Sequence, residues 1–226
     1  MLLHINAVLT AEELQSVRSH LAAAAWADGR LTAGYRSAQV KSNLQLPQSD
    51  PAAQEASSLV IRALERNATF VSATLPHHVY PPLFNRYEAG MSFGAHVDNA
   101  VRQIPGTSHR LRTDISATLF LSAPEEYDGG ELVIDDLYGA HAVKLAAGDM
   151  VIYPASSLHR VQAITRGARD AAFFWIQSMV PDAAARSLLY DMDLSIRELT
   201  AGGAPATCLL RLTSCYHNLM RRWAQL

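Results

Sequence analysis

Between residues 75 and 180 the chain consists of short β-rich runs separated by turn signals, and this stretch most constrains the fold. The clearest run covers residues 114–121, where two sets of side chains alternate. Because successive side chains of a strand point to opposite faces, the run predicts one apolar and one partly polar face. The apolar face comprises Ile115, Ala117, Leu119 and Leu121, and the other comprises Asp114, Ser116, Thr118 and Phe120. Many short strands predict a sandwich or a jelly roll, and the polar face suits a cavity wall.

Two glycine-containing segments interrupt the β-rich stretch. Asp128, Gly129 and Gly130 form one turn signal, and Gly148 with Asp149 forms another. Such residues favour tight turns because glycine adopts backbone conformations that other residues avoid. We expect both turns to shape the barrel rather than to contact reactants.

Helical patterns precede the β-rich stretch. Thr10 and Glu13 form the pattern of a capping box, which predicts a helix over residues 11–25. Asp50 is followed by proline, the favoured residue at the first helical position, and this pair predicts a second helix that ends near Asn67.

After Pro181 apolar residues again recur at helical spacing, with a break over residues 201–205. Two C-terminal helices are therefore predicted, which could cover the barrel or mediate homo-oligomerisation. The predicted organisation is an N-terminal helical flank over residues 1–75, a jelly-roll core over 76–180 and a C-terminal helical extension over 181–226.

The charge composition excludes several classes of partner. Across 226 residues the formal net charge is only −2, so no broad basic surface is predicted that would bind nucleic acid or an anionic membrane. No apolar run approaches the roughly 20 residues that span a bilayer. The N-terminus also lacks the pattern of a secretory signal. We therefore expect a cytoplasmic protein.

The two cysteines, Cys208 and Cys215, lie on one face of a predicted helix. Seven residues separate them, about two turns or roughly 10 Å at 1.5 Å per residue, which is too far for a disulfide bond. The prediction is two buried free thiols.

His96 and Asp98 are the first candidate metal ligands. Residues two apart in a strand lie on the same face, so an imidazole nitrogen and a carboxylate oxygen would point to one place. With one more histidine they would form a facial triad, which leaves half of an octahedral iron open. The tripeptide alone is weak evidence, because it also occurs at polar strand edges.

His159 is the candidate third ligand, since it directly follows a predicted buried strand where a cavity mouth could begin. It lies 63 residues after His96, and strands so far apart can face each other across a jelly roll. Three arginines, Arg160, Arg166 and Arg169, could bind an anion near these ligands. Arg169 is favoured because it borders the strand predicted over residues 171–178. A buried guanidinium requires a carboxylate, which a dicarboxylic co-substrate could supply.

The chain resembles a known family at many positions in the right order. Single positions that carry the likeness are Tyr87, Gly90, His96, Val97, Asp98, Gly129, Gly130, Gly148, Asp149, His159 and Arg169. Longer blocks cover residues 43–46, 82–87, 117–121, 128–132, 157–161, 173–178 and 216–219. The combination resembles the iron(II)- and 2-oxoglutarate-dependent dioxygenases of the prolyl 4-hydroxylase type, and more narrowly the bacterial PKHD-type hydroxylases.

The resemblance implies a double-stranded β-helix and a set of site residues. His96, Asp98 and His159 would bind Fe(II), Arg169 would bind the distal carboxylate of 2-oxoglutarate, and Tyr87 would lie near this co-substrate. It further implies O2 as a reactant, L-ascorbate as an additional cofactor, and hydroxylation of a C–H bond with conversion of 2-oxoglutarate to succinate. A siderophore-related small molecule or a peptidyl residue would be the substrate, with a link to iron uptake.

Two other functions compete with the oxygenase. A non-catalytic jelly-roll sensor or binding protein could use the same triad for metal alone, in which case no succinate would be released. A zinc hydrolase is disfavoured, because no glutamate lies beside the ligands in a general-base arrangement such as HExxH.

Overall fold

Two antiparallel β-sheets form the core of the computed structural model, which describes residues 1–32 and 38–226. The strands, in chain order, are β1 Leu3–Ile5, β2 Ala27–Asp28, β3 Lys41–Ser42, β4 Leu44–Gln45, β5 Pro76–Val79, β6 Leu83–Glu88, β7 Ser92–His96, β8 Val101–Gln103, β9 Arg110–Arg112, β10 Ile115–Phe120, β11 Tyr127–Gly129, β12 Leu132–Asp136, β13 Gly139–Val143, β14 Met150–Pro154, β15 Leu158–Val161 and β16 Ile164–Ser178. The larger sheet has the order β1-β14-β10-β16-β6-β4-β2, and β5 and β11 also pair with β16. The smaller sheet has the order β13-β12-β15-β7-β3, and β8 and β9 form a separate ribbon.

β16 is the longest strand and organises the larger sheet. It pairs along its length with β10 and β6, and its register places Phe173 opposite Thr118 of β10 and Leu83 of β6. Alternate residues, including Phe174 and Ile176, belong to the core shared with the helices. The opposite face, which carries Arg169 and Phe173, is directed toward the smaller sheet and lines a cavity. The predicted jelly roll is confirmed.

The helices are α1 Ala11–Ala23, α2 Pro51–Arg66, α3 Ala68–Thr74, α4 Ala183–Ala201 and α5 Ala206–Trp223. The capping box that predicts α1 is confirmed, with Glu13 N donating to Thr10 Oγ1 at 3.2 Å and Thr10 N donating to Glu13 Oε2 at 2.9 Å. Asp50 caps α2, since its Oδ1 accepts a hydrogen bond from Ala52 N at 2.8 Å. α2 ends at Asn67, where the sequence pattern predicts it to end. Asn67 also caps α3, a helix that the sequence pattern did not predict.

α1 and α2 bury their apolar stripes against the larger sheet. Val17 and Leu21 of α1 and Val60 of α2 are fully buried in a core that also contains Ala117 and Leu119 of β10. The other face of the sheet remains available to the cavity because these helices cover only one side. This arrangement explains why every residue of β10 is buried although only alternate positions face the helices.

The two C-terminal helices form a thinner layer. Leu189 of α4 is buried with Val180, and Trp223 of α5 packs against this cluster. α5, which lies wholly within the described residues, has no buried residue. The prediction that Cys208 and Cys215 are buried is therefore wrong: both thiols are free and exposed, because α5 has only one packed side. Self-association through these helices stays a prediction.

None of the helices formed by residues 1–32 and 38–226 is both long and apolar enough to cross a membrane.

The first testable prediction concerns the core beneath α1 and α2. Leu119 is 0% exposed at the centre of β10, so Leu119→Ala leaves a cavity and should lower the free energy of unfolding by about 2–5 kcal/mol. Leu210→Ala is the matched control, because Leu210 is 71% exposed, and it should change stability by no more than about 0.5 kcal/mol. Urea unfolding followed by circular dichroism measures both. If the two variants lost equal free energy of unfolding, the assignment of Leu119 to the core would be wrong.

Candidate active site

His96, Asp98 and His159 come together at one end of the cavity between the sheets. One ligand atom from each residue lies within 4.8 Å of the others. The side chains of Asp98 and His159 are only 12% and 6% exposed, and His159 Nε2 lies 3.8 Å from Asp98 Oδ2. Two imidazoles and one carboxylate at these separations can hold one divalent ion and leave the remaining coordination positions open.

The strand placement of these residues differs from the sequence prediction. β7 ends at His96, so Asp98 lies just beyond the strand rather than within it. His159, predicted to follow a buried strand where a cavity mouth begins, lies within strand β15, directly opposite His96 in the register of the smaller sheet. The two histidines are therefore cross-strand neighbours, which explains the 4.2 Å between their ring centroids.

Backbone carbonyls determine the orientation of both imidazoles. His96 Nδ1 lies 2.8 Å from Gly94 O, and His159 Nδ1 lies 3.0 Å from Ser157 O. A carbonyl oxygen only accepts hydrogen bonds, so each Nδ1 must carry the proton and donate it. Each Nε2 then keeps its lone pair for a metal ion.

Burial lowers the pKa of His96 to about 4, and the neighbouring His159 acts in the same direction. Phe93 contributes to this burial, because its ring stacks on the His96 imidazole with centroids 3.6 Å apart and planes 17° apart. His96 is therefore neutral near pH 7, which is the form that binds a metal ion.

Ser116 holds the carboxylate ligand in place. Its hydroxyl donates a hydrogen bond of 2.6 Å to Asp98 Oδ2. Ser116 and Thr118 line the cavity, in agreement with the polar face expected for β10. Asp114, predicted on the same face, does not line it: Asp114 lies before β10, pairs with Arg112 at 2.6 Å and accepts a hydrogen bond from Ser178 N.

Arg169 is buried in β16 at the other end of the cavity. It is 1% exposed, and its guanidinium lies 5.6 Å from the ring centroid of Tyr87 and 5.0 Å from that of Phe120. Within residues 1–32 and 38–226 its Nε and Nη2 have no hydrogen-bond partner. Asn85 Oδ1, also on the cavity wall, is another buried atom without a partner there. Because unpaired buried polar atoms are costly, the two Arg169 donors fit a bound carboxylate, whereas Asn85 Oδ1 is an acceptor and requires a donor.

The two competing arginines are engaged elsewhere. Arg160 pairs with Asp135 at 3.1 Å, and Arg166 pairs with Asp128 at 2.6 Å. Both side chains are more than a third exposed, and neither residue lines the cavity. The geometry therefore favours Arg169 over both as an anion-binding residue.

Tyr87 and Gly130 border Arg169 from different sides. Tyr87 lies opposite Arg169 in the β6–β16 register, and burial raises its pKa to about 12, so its hydroxyl stays protonated. Gly130 has a positive φ of 71°, and an added Cβ would lie 3.2 Å from Arg169 Cδ and 2.3 Å from Ile164 Cδ1. Gly130 thus leaves space for the aliphatic part of Arg169, beyond the turn-forming role expected for it.

The sequence patterns missed several cavity residues. Lys41, Asn85, Arg102 and Trp175 line the same cavity as the three ligands. They come from four strands that are distant in the sequence, so only the sheet topology brings them together. Asn85 and Trp175 lie in blocks that carry the family resemblance, but the resemblance gave them no role.

The chain matches two protein families over separate segments. Residues 82–177 match the 2OG-Fe(II) oxygenase superfamily, and this segment includes the three ligand candidates and Arg169. Residues 183–225, which form α4 and α5, match the PKHD-type hydroxylase C-terminal domain.

Solved structures of similar fold are 2-oxoglutarate oxygenases of low sequence identity. A prolyl-4-hydroxylase from Pseudomonas putida is 18% identical with a TM-score of 0.54, covering 78% of this chain and 92% of that one. A prolyl hydroxylase from Trichoplax adhaerens, in complex with a hypoxia inducible factor peptide fragment, is 9% identical with a TM-score of 0.57, covering 78% and 83%. HygX from Streptomyces hygroscopicus, with nickel and 2-oxoglutarate bound, has a TM-score of 0.54 at 16% identity, covering 78% and 82%.

Full-length relatives are much more similar. A PKHD-type hydroxylase from Burkholderia ambifaria is 57% identical over 100% of both chains. One from Saccharophagus degradans is 56% identical over 100% of both chains, and one from Xanthomonas campestris pv. campestris is 58% identical over 99% of both. The chain is therefore an oxygenase that belongs to the PKHD-type hydroxylases of the 2OG-Fe(II) oxygenase superfamily.

Proposed function

We propose that this chain hydroxylates a C–H bond with Fe(II) held by His96, Asp98 and His159. Arg169 binds the distal carboxylate of 2-oxoglutarate, with Tyr87 beside it. Two observations made together support this proposal most strongly. The three ligand atoms converge at one end of a cavity, and the other end contains a buried arginine that has no carboxylate partner among the described residues. This combination supports a metal ion and a dicarboxylate in the same cavity.

The overall reaction balances with one O2 for each turnover. One oxygen atom enters the hydroxyl group of the product, the other enters succinate, and 2-oxoglutarate loses CO2. When bound, Fe(II) supplies the redox chemistry that activates O2. The residues of this chain bind and orient: the imidazoles present Nε2, Ser116 holds the Asp98 carboxylate, and Arg169 anchors the co-substrate from a buried position.

We extend this proposal to the class of substrate, the reductant and the link to iron uptake. Relatives of the same fold include an enzyme solved with a peptide fragment and one solved with hygromycin B, so a peptidyl residue and a small molecule are both represented among them. L-ascorbate is proposed as the reductant that keeps the iron in its Fe(II) state. The link to iron uptake stays a prediction from the family resemblance.

The second testable prediction concerns the metal ligands. His96→Ala should lower Fe(II)-dependent release of succinate on the order of 100-fold or more, because one of three ligands is lost. His141→Ala is the control, since His141 lies on an exposed hairpin and contacts Asp136 at 2.9 Å. Equilibrium dialysis with Fe(II) and succinate assays measure both variants. Unchanged iron binding in His96→Ala would refute the ligand assignment, and iron binding without succinate release from wild-type protein would favour the sensor function.

The third testable prediction separates Arg169 from its neighbours. Arg169→Gln should raise the 2-oxoglutarate concentration required for half-maximal turnover at least about 10-fold, since a charge-assisted hydrogen bond contributes about 1.5–3 kcal/mol. The requirement for iron should change little. Arg166→Gln, which removes only an exposed pair, should leave both requirements unchanged. A larger effect from Arg166→Gln than from Arg169→Gln would contradict the assignment.

The fourth testable prediction concerns the support of Asp98. Ser116→Ala removes the 2.6 Å hydrogen bond to Asp98 Oδ2 and should weaken Fe(II) binding about 10-fold, while 2-oxoglutarate binding at saturating iron changes less. Ser195→Ala, at an exposed position of α4, is the matched control. Metal titration in the absence of O2 measures the effect. An affinity within twofold of wild type would show that Ser116 does not position the ligand.

A further inference from the structure

Arg102 provides a second cationic group in the cavity, apart from Arg169. It lies in β8, half-buried, with its guanidinium carbon 3.9 Å from the ring centroid of Trp175 and 5.3 Å from that of Tyr80. Its Nε is buried without a hydrogen-bond partner, and no carboxylate pairs with it among residues 1–32 and 38–226. The aromatic contacts hold the charge in position, but they provide no acceptor for the Nε–H donor.

Lys41 adds positive charge to the same cavity. It is only 7% exposed, and its ammonium group donates to Gln45 Oε1 at 3.1 Å and lies 5.5 Å from the ring centroid of Phe93. Burial lowers the pKa of Lys41 to about 8, and the charge of Arg102 acts in the same direction. The carboxylates of Asp28 and Asp98 offset part of this effect on the pKa of Lys41, and an anion between Lys41 and Arg102 would offset more of it.

Arg102 contacts β16 at a position far along the strand from Arg169, the proposed anchor of the co-substrate. Trp175, on which Arg102 stacks, lies six residues after Arg169 on the same face of the strand, or about 20 Å at 3.3 Å per residue. A carboxylate held by Arg169 is therefore too far along the strand to be shared with Arg102. Trp175 instead lies opposite Ser116 in the sheet register, and Ser116 contacts the metal-ligand candidate Asp98. Arg102 is therefore on the metal side of the cavity.

We propose that Arg102, assisted by Lys41, binds a carboxylate of the substrate, so that the substrate of this hydroxylase is a carboxylic acid. This inference rests on the proposed function, because it takes the end of the cavity near Arg169 to be occupied by 2-oxoglutarate. The apolar part of the substrate lies against Phe173, which is half-buried and lines the cavity between the two cationic ends. The carbon to be hydroxylated is then close to the anchored carboxylate.

The test compares carboxylates with matched neutral amides. Phenylacetate and phenylacetamide form one pair of probes, and the capped dipeptides acetyl-Phe-Glu-amide and acetyl-Phe-Gln-amide form the other. Each probe is titrated by calorimetry into Fe(II)-loaded protein without O2, in the presence and absence of saturating 2-oxoglutarate. We expect the acid of at least one pair to bind about 10-fold or more tightly than its amide. The discriminating pair identifies a free acid or an acidic side chain as the source of the carboxylate.

Variants of Arg102 assign the preference to this residue. Arg102→Gln should reduce the discrimination to within about twofold, and Arg102→Lys, which keeps the charge but loses the planar fork, should retain part of it. Arg110→Gln is the matched control, because Arg110 is exposed on β9, opposite Gln103 of the same ribbon, and it should leave the preference unchanged. Unchanged affinity for 2-oxoglutarate in all three variants shows that the site is folded.

The outcomes separate this inference from the proposed function. If 2-oxoglutarate binds but neither acid is preferred, or if the preference survives Arg102→Gln, the inference is overturned while the proposed function stands. If the acid displaces 2-oxoglutarate, it binds at Arg169, and the inference is again overturned. If 2-oxoglutarate does not bind at all, the proposed function fails, and a preference that still depends on Arg102 supports the carboxylate site alone.

Discussion

The alternation of side chains along β16, with a period of two residues, is the constraint on which both the hydrophobic core and the cavity depend. One set of its side chains, including Phe174 and Ile176, packs in the core shared with the helices, and the alternate set lines the cavity. Because the period of a strand is two, a shift of one residue would turn Arg169 toward the helical core and would turn Phe174 and Ile176 toward the cavity. The same hydrophobic burial that stabilises the sheet therefore determines where the buried charge lies. Folding and the proposed binding of the co-substrate therefore depend on the same strand register.

The metal-binding candidates are preorganised by the main chain. Gly94 O and Ser157 O each lie within 3.0 Å of a histidine Nδ1, and both carbonyls lie two residues before the imidazole that they orient. Cross-strand pairing of β7 and β15 then brings the two rings together. Since the backbone sets tautomer and direction, only Asp98 depends on a side chain, Ser116, for its position. The proton distribution needed for metal binding is present before a metal arrives.

Local sequence patterns predicted the parts of this structure that depend on local interactions. The capping box of α1 and the alternation in β10 involve neighbours in the sequence, so their physical causes are visible there. Cys208 was assigned incorrectly because helical periodicity shows which side of α5 is apolar but not how many layers cover it. Arg102 was missed for a related reason. Its role depends on the contact with Trp175, which lies 73 residues later in another element.

The arginines of this chain divide by how their charge is compensated. Arg86 pairs with Asp170 at 2.7 Å, and Arg112 pairs with Asp114 at 2.6 Å, so each is neutralised by the protein itself. Arg169 and Arg102 both line the cavity and contact aromatic rings instead. A cation–π contact offsets only part of the desolvation of a guanidinium and leaves its in-plane donors open. Two such arginines near opposite ends of one cavity create a need for two separate anions. In the proposed function a dicarboxylic co-substrate satisfies the first, and we infer that the second is a carboxylate of the molecule that lies beside the metal.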